Sequence, residues 1–112
     1  MSEHITIDDF KKVQIKVGEI LSAEKIPDTD KLLKLSVAFG EETRQIVSGI
    51  AGYFPDPSAL VGVKCAFAYN LEPRVIRGFE SQGMIMAASD DVTGVFSLLR
   101  ADSALPSGTS VR

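Results

Sequence analysis

Alternating apolar and polar residues cover much of this chain and indicate a protein built from short β-strands. The clearest case is residues 33–39, where large apolar side chains alternate with Lys, Ser and Ala. A period of two is typical of a strand with one buried face. We predict a first long, curved strand from residue 13, with a bulge or bend where Gly18 interrupts the alternation. Further strands are predicted at about residues 44–50, 64–70, 84–88, 95–100 and 109–111.

Capping residues predict two short helical segments between these strands. Thr6 and Asp9 form a Thr-x-x-Asp variant of the capping box, so one helical turn is expected at about residues 7–12. Asp56 followed by Pro57 predicts a second short helix near residues 56–60. The order is therefore long bent strand, strand, strand, short helix, strand, strand.

That order predicts the fold class. We expect an all-β protein, an OB-fold five-stranded Greek-key barrel with short helices and a C-terminal β extension. The 112 residues have room for one domain and one core. We assign residues 1–112 to this domain, with the barrel at about residues 5–90 and the extension at about residues 92–112.

Composition restricts the protein class and the location. Apolar residues make up 45% of the chain, as in ordinary globular proteins, and no apolar run approaches the ~20 residues that span a membrane. Residues Met1–His4 lack the basic and apolar regions of a signal peptide. The single cysteine, Cys65, suits a reducing compartment and is expected to be buried and inert. We therefore expect a cytoplasmic protein with no membrane partner.

Few side chains in the sequence offer catalytic chemistry. His4 is the only histidine and lies at a terminus, so neither Ser48 nor Ser81 has a histidine base nearby in sequence. No Cys/His group has the spacing of zinc ligands. We predict that the chain is not an enzyme and that it holds no metal and no cofactor.

Basic residues collect in two predicted loops although the net charge is −3. An OB-fold binds its ligand beside strands two and three, between the first and fourth inter-strand loops. Those loops are Pro27–Lys31 and Leu71–Gln82, and they carry Lys31, Arg74 and Arg77. Each cation alone is compatible with an ordinary solvated charge. Their convergence on the ligand loops predicts phosphate contacts.

The motif after residue 69 connects the chain with a known family. Residues 70–84 fit the pattern Asn-Leu-x-Pro-basic-x-basic-x-Gly-x-x-Ser-x-Gly-Met, with the second basic residue, Arg77, displaced by one position. Together with residues 30–35 and 44–51, this segment resembles the tRNA-binding domain. That domain is found at the C-terminus of bacterial methionyl-tRNA synthetases, in small stand-alone tRNA-binding proteins and in synthetase cofactors of the endothelial-monocyte-activating-polypeptide type. The resemblance extends over residues 5–111.

The resemblance implies an RNA-binding site with specified members. The implied RNA-binding residues, with Ser48 and Gly49 as flanking residues, are Lys31, Asn70, Arg74, Arg77, Ser81 and Met84. Arg74 and Arg77 are expected to contact phosphates directly. Met84 is equally compatible with core packing, and Asn70 with a bond that holds its loop. Asn70 and Ser81 are expected on or beside a polar loop, where truncation changes stability little.

Aromatic residues indicate how RNA would be recognised. They make up 7% of the chain, with no Trp, and Phe39, Phe67 and Tyr69 occupy strand positions that suit the core. Binders of single strands stack bases on aromatic rings. The sequence therefore favours recognition of RNA shape through phosphates and 2′-hydroxyls.

The implied function is structure-specific tRNA binding that is largely independent of sequence. The family implies contact near the corner of the L-shaped tRNA and a role in raising the tRNA affinity of an aminoacyl-tRNA synthetase, with the methionyl enzyme as partner. A start at Met1 favours a stand-alone chain, although a detached C-terminal domain would have the same sequence. Two alternatives are a secretion chaperone of the same fold that binds extended peptides, and a module that serves dimerisation only.

The C-terminal segment predicts a homodimer. Its apolar side chains must be buried somewhere, either against their own barrel or in a two-fold interface in which the same patch of two copies meets. These side chains belong to Val95, Phe96, Leu98, Leu99, Leu105 and Val111. The motif Leu105-Pro106-x-Gly108 resembles that of stand-alone family members, in which this extension forms the dimer.

Overall fold

The computed structural model describes residues 3–112, so the expectations drawn from Met1 and Ser2 lie outside the described residues. The helical segments of that range are α1 (Ile7–Phe10) and two 3-10 helices, Ala51–Tyr53 and Pro57–Leu60. Its strands are β1 (Ile15–Lys25), β2 (Leu33–Phe39), β3 (Glu42–Ser48), β4 (Lys64–Ala68), β5 (Arg74–Ile76), β6 (Phe79–Ser81), β7 (Met84–Ile85), β8 (Ala87–Ser89) and β9 (Phe96–Leu98).

One antiparallel sheet organises the molecule. Its five strands lie in the order β3-β2-β1-β4-β7 and curl into a half-barrel. The predicted all-β, OB-like fold class is confirmed. The first half of β1 pairs with β4 and its second half pairs with β2. A register shift between Ile20 and Ser22 lies within the β1–β2 ladder, just after the β4 pairing ends at Glu19, and such a bulge adds the twist that lets one strand serve both partners.

The bulge predicted at Gly18 is therefore wrong in position. Gly18 pairs regularly with Cys65 in the β1–β4 ladder. A Cβ atom at Gly18 would lie 2.6 Å from Cγ1 of Val37 and 2.8 Å from ring carbons of Phe39 and Phe67. Glycine is present because two layers of the core meet at this point, and the break in the hydrophobic pattern reflects that close approach.

The core forms where the concave face of the sheet closes on itself. Leu33, Leu35 and Val37 are fully buried and Phe39 is 6% exposed, as the alternation predicts. Each fully buried side chain of this size contributes about 1.5–3 kcal/mol. Cys65 is also fully buried, which confirms the predicted burial, and this burial raises the pKa of its thiol to about 11.

The local signals for the helices are confirmed, and one strand prediction is modified. Thr6 accepts a hydrogen bond from the Asp9 backbone in a complete capping box, and Asp56 caps the helix that begins at Pro57. The strand predicted at residues 84–88 is divided into β7 and β8. The division arises because the chain changes partner there: β7 pairs with β4, whereas β8 pairs with β9.

The C-terminal segment packs along its own barrel. The backbone amide of Ala66 donates to Leu99 O at 2.9 Å, and that of Val111 donates to Ile15 O at 2.8 Å. Leu98 is 4% exposed and belongs to the core. Burial against the chain's own barrel, one of the two alternatives, therefore accounts for part of the segment. The core of the barrel includes Leu98, which lies beyond the predicted start of the extension at residue 92. Several apolar side chains of the segment stay exposed, namely Val92, Val95, Leu99, Leu105 and Val111.

Candidate nucleic-acid interface

The basic loop of residues 71–82 contains a β-hairpin that the sequence analysis did not identify. Strands β5 and β6 pair with Ile76 opposite Phe79, so the turn consists of Arg77 and Gly78 alone. Their φ angles are 53° and 85°, the positive values that a type I′ turn requires. The usual signal for this turn is Asn-Gly, and Arg-Gly departs from it. The hairpin places Arg77 at its tip and Arg74 at its base.

Hydrogen bonds along β3 fix the hairpin to the barrel. The Gln45 side chain donates through Nε2 to Glu80 O at 2.9 Å. The backbone amide of Gln82 donates to Gln45 O at 2.8 Å, and Gln82 Oε1 accepts from the Gln45 amide at 3.1 Å. These bonds align β6 with β3, so the hairpin has a defined position beside the ligand face of an OB-fold.

Ser81 is part of this attachment, and its burial contradicts the small effect on stability that was expected of a residue on or beside a polar loop. Its side chain is buried, with 4% exposure. The Ser81 hydroxyl accepts from the Val47 amide at 3.0 Å and donates to Gly83 O at 2.9 Å. Because both bonding directions are already used inside the protein, the hydroxyl holds the end of β6 against β3. A contact between Ser81 and RNA stays a prediction that the structure does not test.

Asn70 holds the start of the loop, which supports the holding role weighed for it. Its Nδ2 donates to Lys12 O at 2.7 Å, and its Oδ1 accepts from the Gln14 amide at 2.8 Å. The bonded partner is the segment between α1 and β1, not the loop itself. Asn70 therefore connects the beginning of the hairpin loop to the entrance of β1, although the residue is exposed.

Lys31 and Arg77 share a surface concavity, as the convergence of the two loops predicted. The concavity has a volume of about 380 Å³ and is lined by residues 28–32 and Arg77. Both cations are exposed. Asp28 and Asp30 line the same concavity, so the local field depends on the arrangement of charges rather than on a uniform basic surface. Ser48 pairs with Leu33 at the adjoining end of β2, and Gly49 follows it on the exposed surface.

Arg74 and Met84 lie together on the other side of the hairpin. A small cavity of about 70 Å³ is lined by both side chains together with Val47 and Ile76. Met84 is 51% exposed, so the core-packing alternative for Met84 is wrong. The Met84 thioether therefore lies on the surface next to the exposed Arg74.

Lys34 connects the hairpin with β2. Its Nζ lies 3.5 Å from Glu24 Oε2 and 5.1 Å from the centre of the Phe79 ring. The ammonium group is therefore already partly neutralised by a carboxylate and covered by an aromatic ring of β6. The structure favours a supporting role for Lys34 beneath the hairpin.

Aromatic rings near the candidate site are largely occupied in packing. Phe39 and Phe67 are buried, and Tyr69 is half-buried against the core, as expected from their strand positions. Tyr53, which the sequence analysis did not consider, is 52% exposed and stacks on Phe96 with the ring centres 3.9 Å apart. One face of Tyr53 is thus covered by Phe96.

Arg44 is the site residue that sequence reasoning missed. Its guanidinium bonds the backbone at both ends of the hairpin segment. The only sequence signal was a charged residue two positions before the buried pair Ile46–Val47, inside a motif quoted for its resemblance. A cation in a half-buried strand indicates a specific partner, but the partner here is backbone from two distant positions.

Within residues 3–112, no group of three or more His, Cys, Asp or Glu side chains is arranged to hold a metal ion. No helix of the described range has the length and hydropathy needed to cross a bilayer. The concavity between the hairpin and the loop of residues 27–31 brings cations of both predicted ligand loops together.

Comparisons with known proteins identify the family of the chain. The model of a family described as putative tRNA binding domain matches residues 15–110. Methionine–tRNA ligase of Methanospirillum hungatei is 52% identical over 108 residues, and that of Deinococcus radiodurans is 49% identical over 108 residues. Each alignment covers 96% of this chain and 16% of the ligase. The chain thus spans about a sixth of the length of these curated relatives.

Solved structures give the same result at the level of the fold. A methionyl-tRNA-synthetase-related protein from Pyrococcus horikoshii superposes with a TM-score of 0.92 and 43% identity, covering 99% of this chain and 100% of that one. The chaperone CsaA of Picrophilus torridus superposes with a TM-score of 0.85 and 25% identity, over 97% and 100% of the two chains.

Proposed function

Because this chain belongs to the putative tRNA-binding domain family, we propose that it binds tRNA through the β5–β6 hairpin and the loop of residues 27–31. One observation carries the proposal. The hairpin is fixed to β3, and its tip arginine, Arg77, shares a concavity with Lys31. Cations at defined positions select for the spacing of phosphates, whereas base identity plays little part.

The proposed contacts fall into two groups. Lys31, Arg74 and Arg77 contact phosphates, and Met84 packs against a sugar or base beside Arg74. Asn70 and Ser81 hold the two ends of the hairpin segment in place. Recognition is structure-specific and largely independent of sequence, because three separated cations on a rigid frame fit a folded RNA better than a flexible strand.

The proposed biological role is that of an affinity module. The relatives at 48–52% identity carry this domain as about a sixth of a methionine–tRNA ligase. A domain that holds tRNA near the enzyme raises the effective tRNA concentration at the active site without performing chemistry itself. We propose a methionyl-tRNA synthetase in the cytoplasm as the partner, contacted in trans or as the remainder of a longer chain.

The decisive experiment measures tRNA binding and its salt dependence. We expect filter binding of total tRNA to weaken as salt rises, and Lys31→Ala and Arg74→Ala each to flatten the log–log salt dependence by about one unit. The matched control is Arg100→Ala. Arg100 is an exposed arginine whose backbone forms an isolated β-bridge with Cys65, at the end of β4 that lies away from the hairpin. A slope that stays unchanged in both loop variants would contradict the proposed site.

A homodimer is the second part of the proposal. The support is the exposed apolar set of the C-terminal segment, in which Val95 is 66% and Leu105 is 40% exposed. Deletion of residues 92–112 is a poor test because Leu98 lies in the core. We expect light scattering to give twice the mass of one chain, and Val95→Asp combined with Leu105→Asp to give a folded monomer. A monomeric wild-type chain at micromolar concentration would contradict the dimer.

The peptide chaperone and the pure dimerisation module are the competing functions. CsaA has the same fold but is only 24–25% identical to this chain, compared with 43% for the synthetase-related protein. An extended peptide would not require cations held at the tip and base of a rigid hairpin. Tight binding of unfolded peptides without tRNA binding would favour the chaperone, and binding of neither would favour the dimerisation module.

A further inference from the structure

Arg44 joins both ends of the segment that carries the RNA-binding hairpin. Its Nη1 donates to Tyr69 O at 2.7 Å and to Gln82 O at 3.2 Å. Tyr69 directly precedes the segment and Gln82 directly follows it. One guanidinium group on β3 therefore fixes the distance between the two ends of the 12-residue segment 70–81.

Arg44 is itself held in place from two directions. Its Nε lies 3.2 Å from Glu42 Oε2, and its Cζ lies 3.7 Å from the centre of the Tyr69 ring. The Tyr69 hydroxyl donates to Glu42, which completes a closed set of contacts. This hydrogen bond is the main cause that lowers the pKa of Glu42 and raises the pKa of Tyr69. The Arg44 side chain is 20% exposed, so most of the guanidinium faces protein.

We infer that Arg44 is a positioning residue for tRNA binding, which fixes the β5–β6 hairpin in its binding conformation without touching RNA. The inference rests on the proposed function. A hairpin that is bonded at both ends is already ordered before tRNA arrives. If the binding conformation is populated only in part, the apparent Kd rises by the inverse of that fraction. Loss of Arg44 thus weakens binding while the phosphate contacts themselves stay the same.

Lysine cannot replace arginine in this role. The planar guanidinium presents several N–H groups in a fixed fork and stacks on an aromatic face, whereas an ammonium group is a compact point charge on a flexible stem. Arg44 uses the fork on Glu42 and on two carbonyl groups while its plane covers Tyr69. Arg44→Lys therefore keeps the charge and removes the bridge.

The test compares Arg44→Lys with wild type and with a matched control, Lys16→Met. Lys16 Nζ lies 4.3 Å from the centre of the same Tyr69 ring, so the control removes a cation from this cluster but leaves the bridge to Gln82 intact. For Arg44→Lys we expect a tRNA Kd raised by roughly tenfold and a log–log salt slope within about 0.3 of wild type. Lys16→Met should bind within about twofold of wild type.

Hydrogen exchange supplies a readout that does not depend on RNA. The Gln82 amide, which donates to Gln45 O, should exchange faster in Arg44→Lys, whereas the Ile20 amide, which donates to Val63 O, should keep its wild-type protection. Equal loss at both amides would mean general destabilisation and would overturn the inference, as would an unchanged Gln82 amide.

The binding outcomes separate this inference from the proposed function. If the log–log salt slope of Arg44→Lys were about one unit less negative than that of wild type, a phosphate contact would have been lost. Loss of the bridge would then not be the cause of the weaker tRNA binding. An equal Kd increase in Lys16→Met, which leaves the bridge intact, would show that disturbing the contacts around Tyr69 is enough to weaken binding, and would overturn the inference. If the wild-type chain binds tRNA and Arg44→Lys binds it with the same Kd, the positioning role of Arg44 is overturned and the proposed tRNA binding stands. A wild-type chain that does not bind tRNA would overturn the proposed function.

Discussion

Arg77 combines an unfavourable backbone conformation with a candidate phosphate contact, and the substitution Arg77→Asn separates the two. Its φ of 53° is in the left-handed region, which costs an ordinary L-residue about 1–2 kcal/mol and costs asparagine less. Asn-Gly is also the preferred pair for a type I′ turn. We therefore expect the free energy of unfolding to rise by about 0.5–1 kcal/mol and Tm to rise by about 2–6 °C.

The same substitution removes one positive charge from the tip of the hairpin. If that charge neutralises one phosphate, the log–log salt slope of tRNA binding becomes about 0.9 less negative. Across a fourfold increase in salt, the variant then loses roughly 3.5-fold less affinity than wild type does. Filter binding at four or more salt concentrations measures the slope, and thermal unfolding monitored by circular dichroism measures Tm.

Arg77→Lys serves as the control because it keeps the charge and the left-handed residue while it loses the planar fork. Its slope should match wild type and its Tm should not rise. A more stable Arg77→Asn variant with an unchanged slope would remove Arg77 from the RNA site. A lower Tm in Arg77→Asn would refute the conformational argument, and any change in binding would then reflect a disturbed hairpin.

Three further predictions concern groups inside the barrel. Ser81→Ala leaves the Val47 amide without its buried acceptor, so we expect a loss of about 1–3 kcal/mol in denaturant unfolding; a loss below about 0.3 kcal/mol would contradict the burial argument. Gly18→Ala places a methyl group within 2.6–2.8 Å of three core side chains and should cost about 1–3 kcal/mol; unchanged stability would mean that the core yields there. The Cys65 thiol has its pKa raised from 9.0 to about 11, so its protonated form stabilises the fold fully below pH 9 and this contribution is lost as pH rises through about 11. Cys65→Ser should remove that alkaline loss, and rapid labelling of Cys65 by a thiol reagent at neutral pH would show that the thiol is accessible.

Local signals in the sequence predicted much of the fold because they act over a few residues. The alternation at residues 33–39 identified β2 with its observed bounds, since one buried face requires a period of two. The capping residues Thr6 and Asp56 marked the helix starts. The motif of residues 70–84 and the separate Lys31 led to the candidate site, because their cations are in the two loops that an OB-fold brings together.

Other features required the tertiary structure because their partners are far apart along the chain. The interruption at Gly18 looks the same in sequence whether it marks a bulge or a close approach of core layers, and only the packing of Val37 and Phe67 distinguishes the two. Ser81 reads as a loop hydroxyl until its bond to Val47, 34 residues away, shows that it is buried.

Arg44 shows the same difference at the candidate site. The sequence determined which cations are available, namely Lys31, Arg74 and Arg77, because charge and spacing are properties of the chain itself. The tertiary structure decided that Arg44 bonds the backbone, because β3 pairs with β2 and so lies beside the hairpin. A hydrogen bond depends on positions in space, and residues 25 and 38 positions apart come within 3.2 Å only after the barrel has closed.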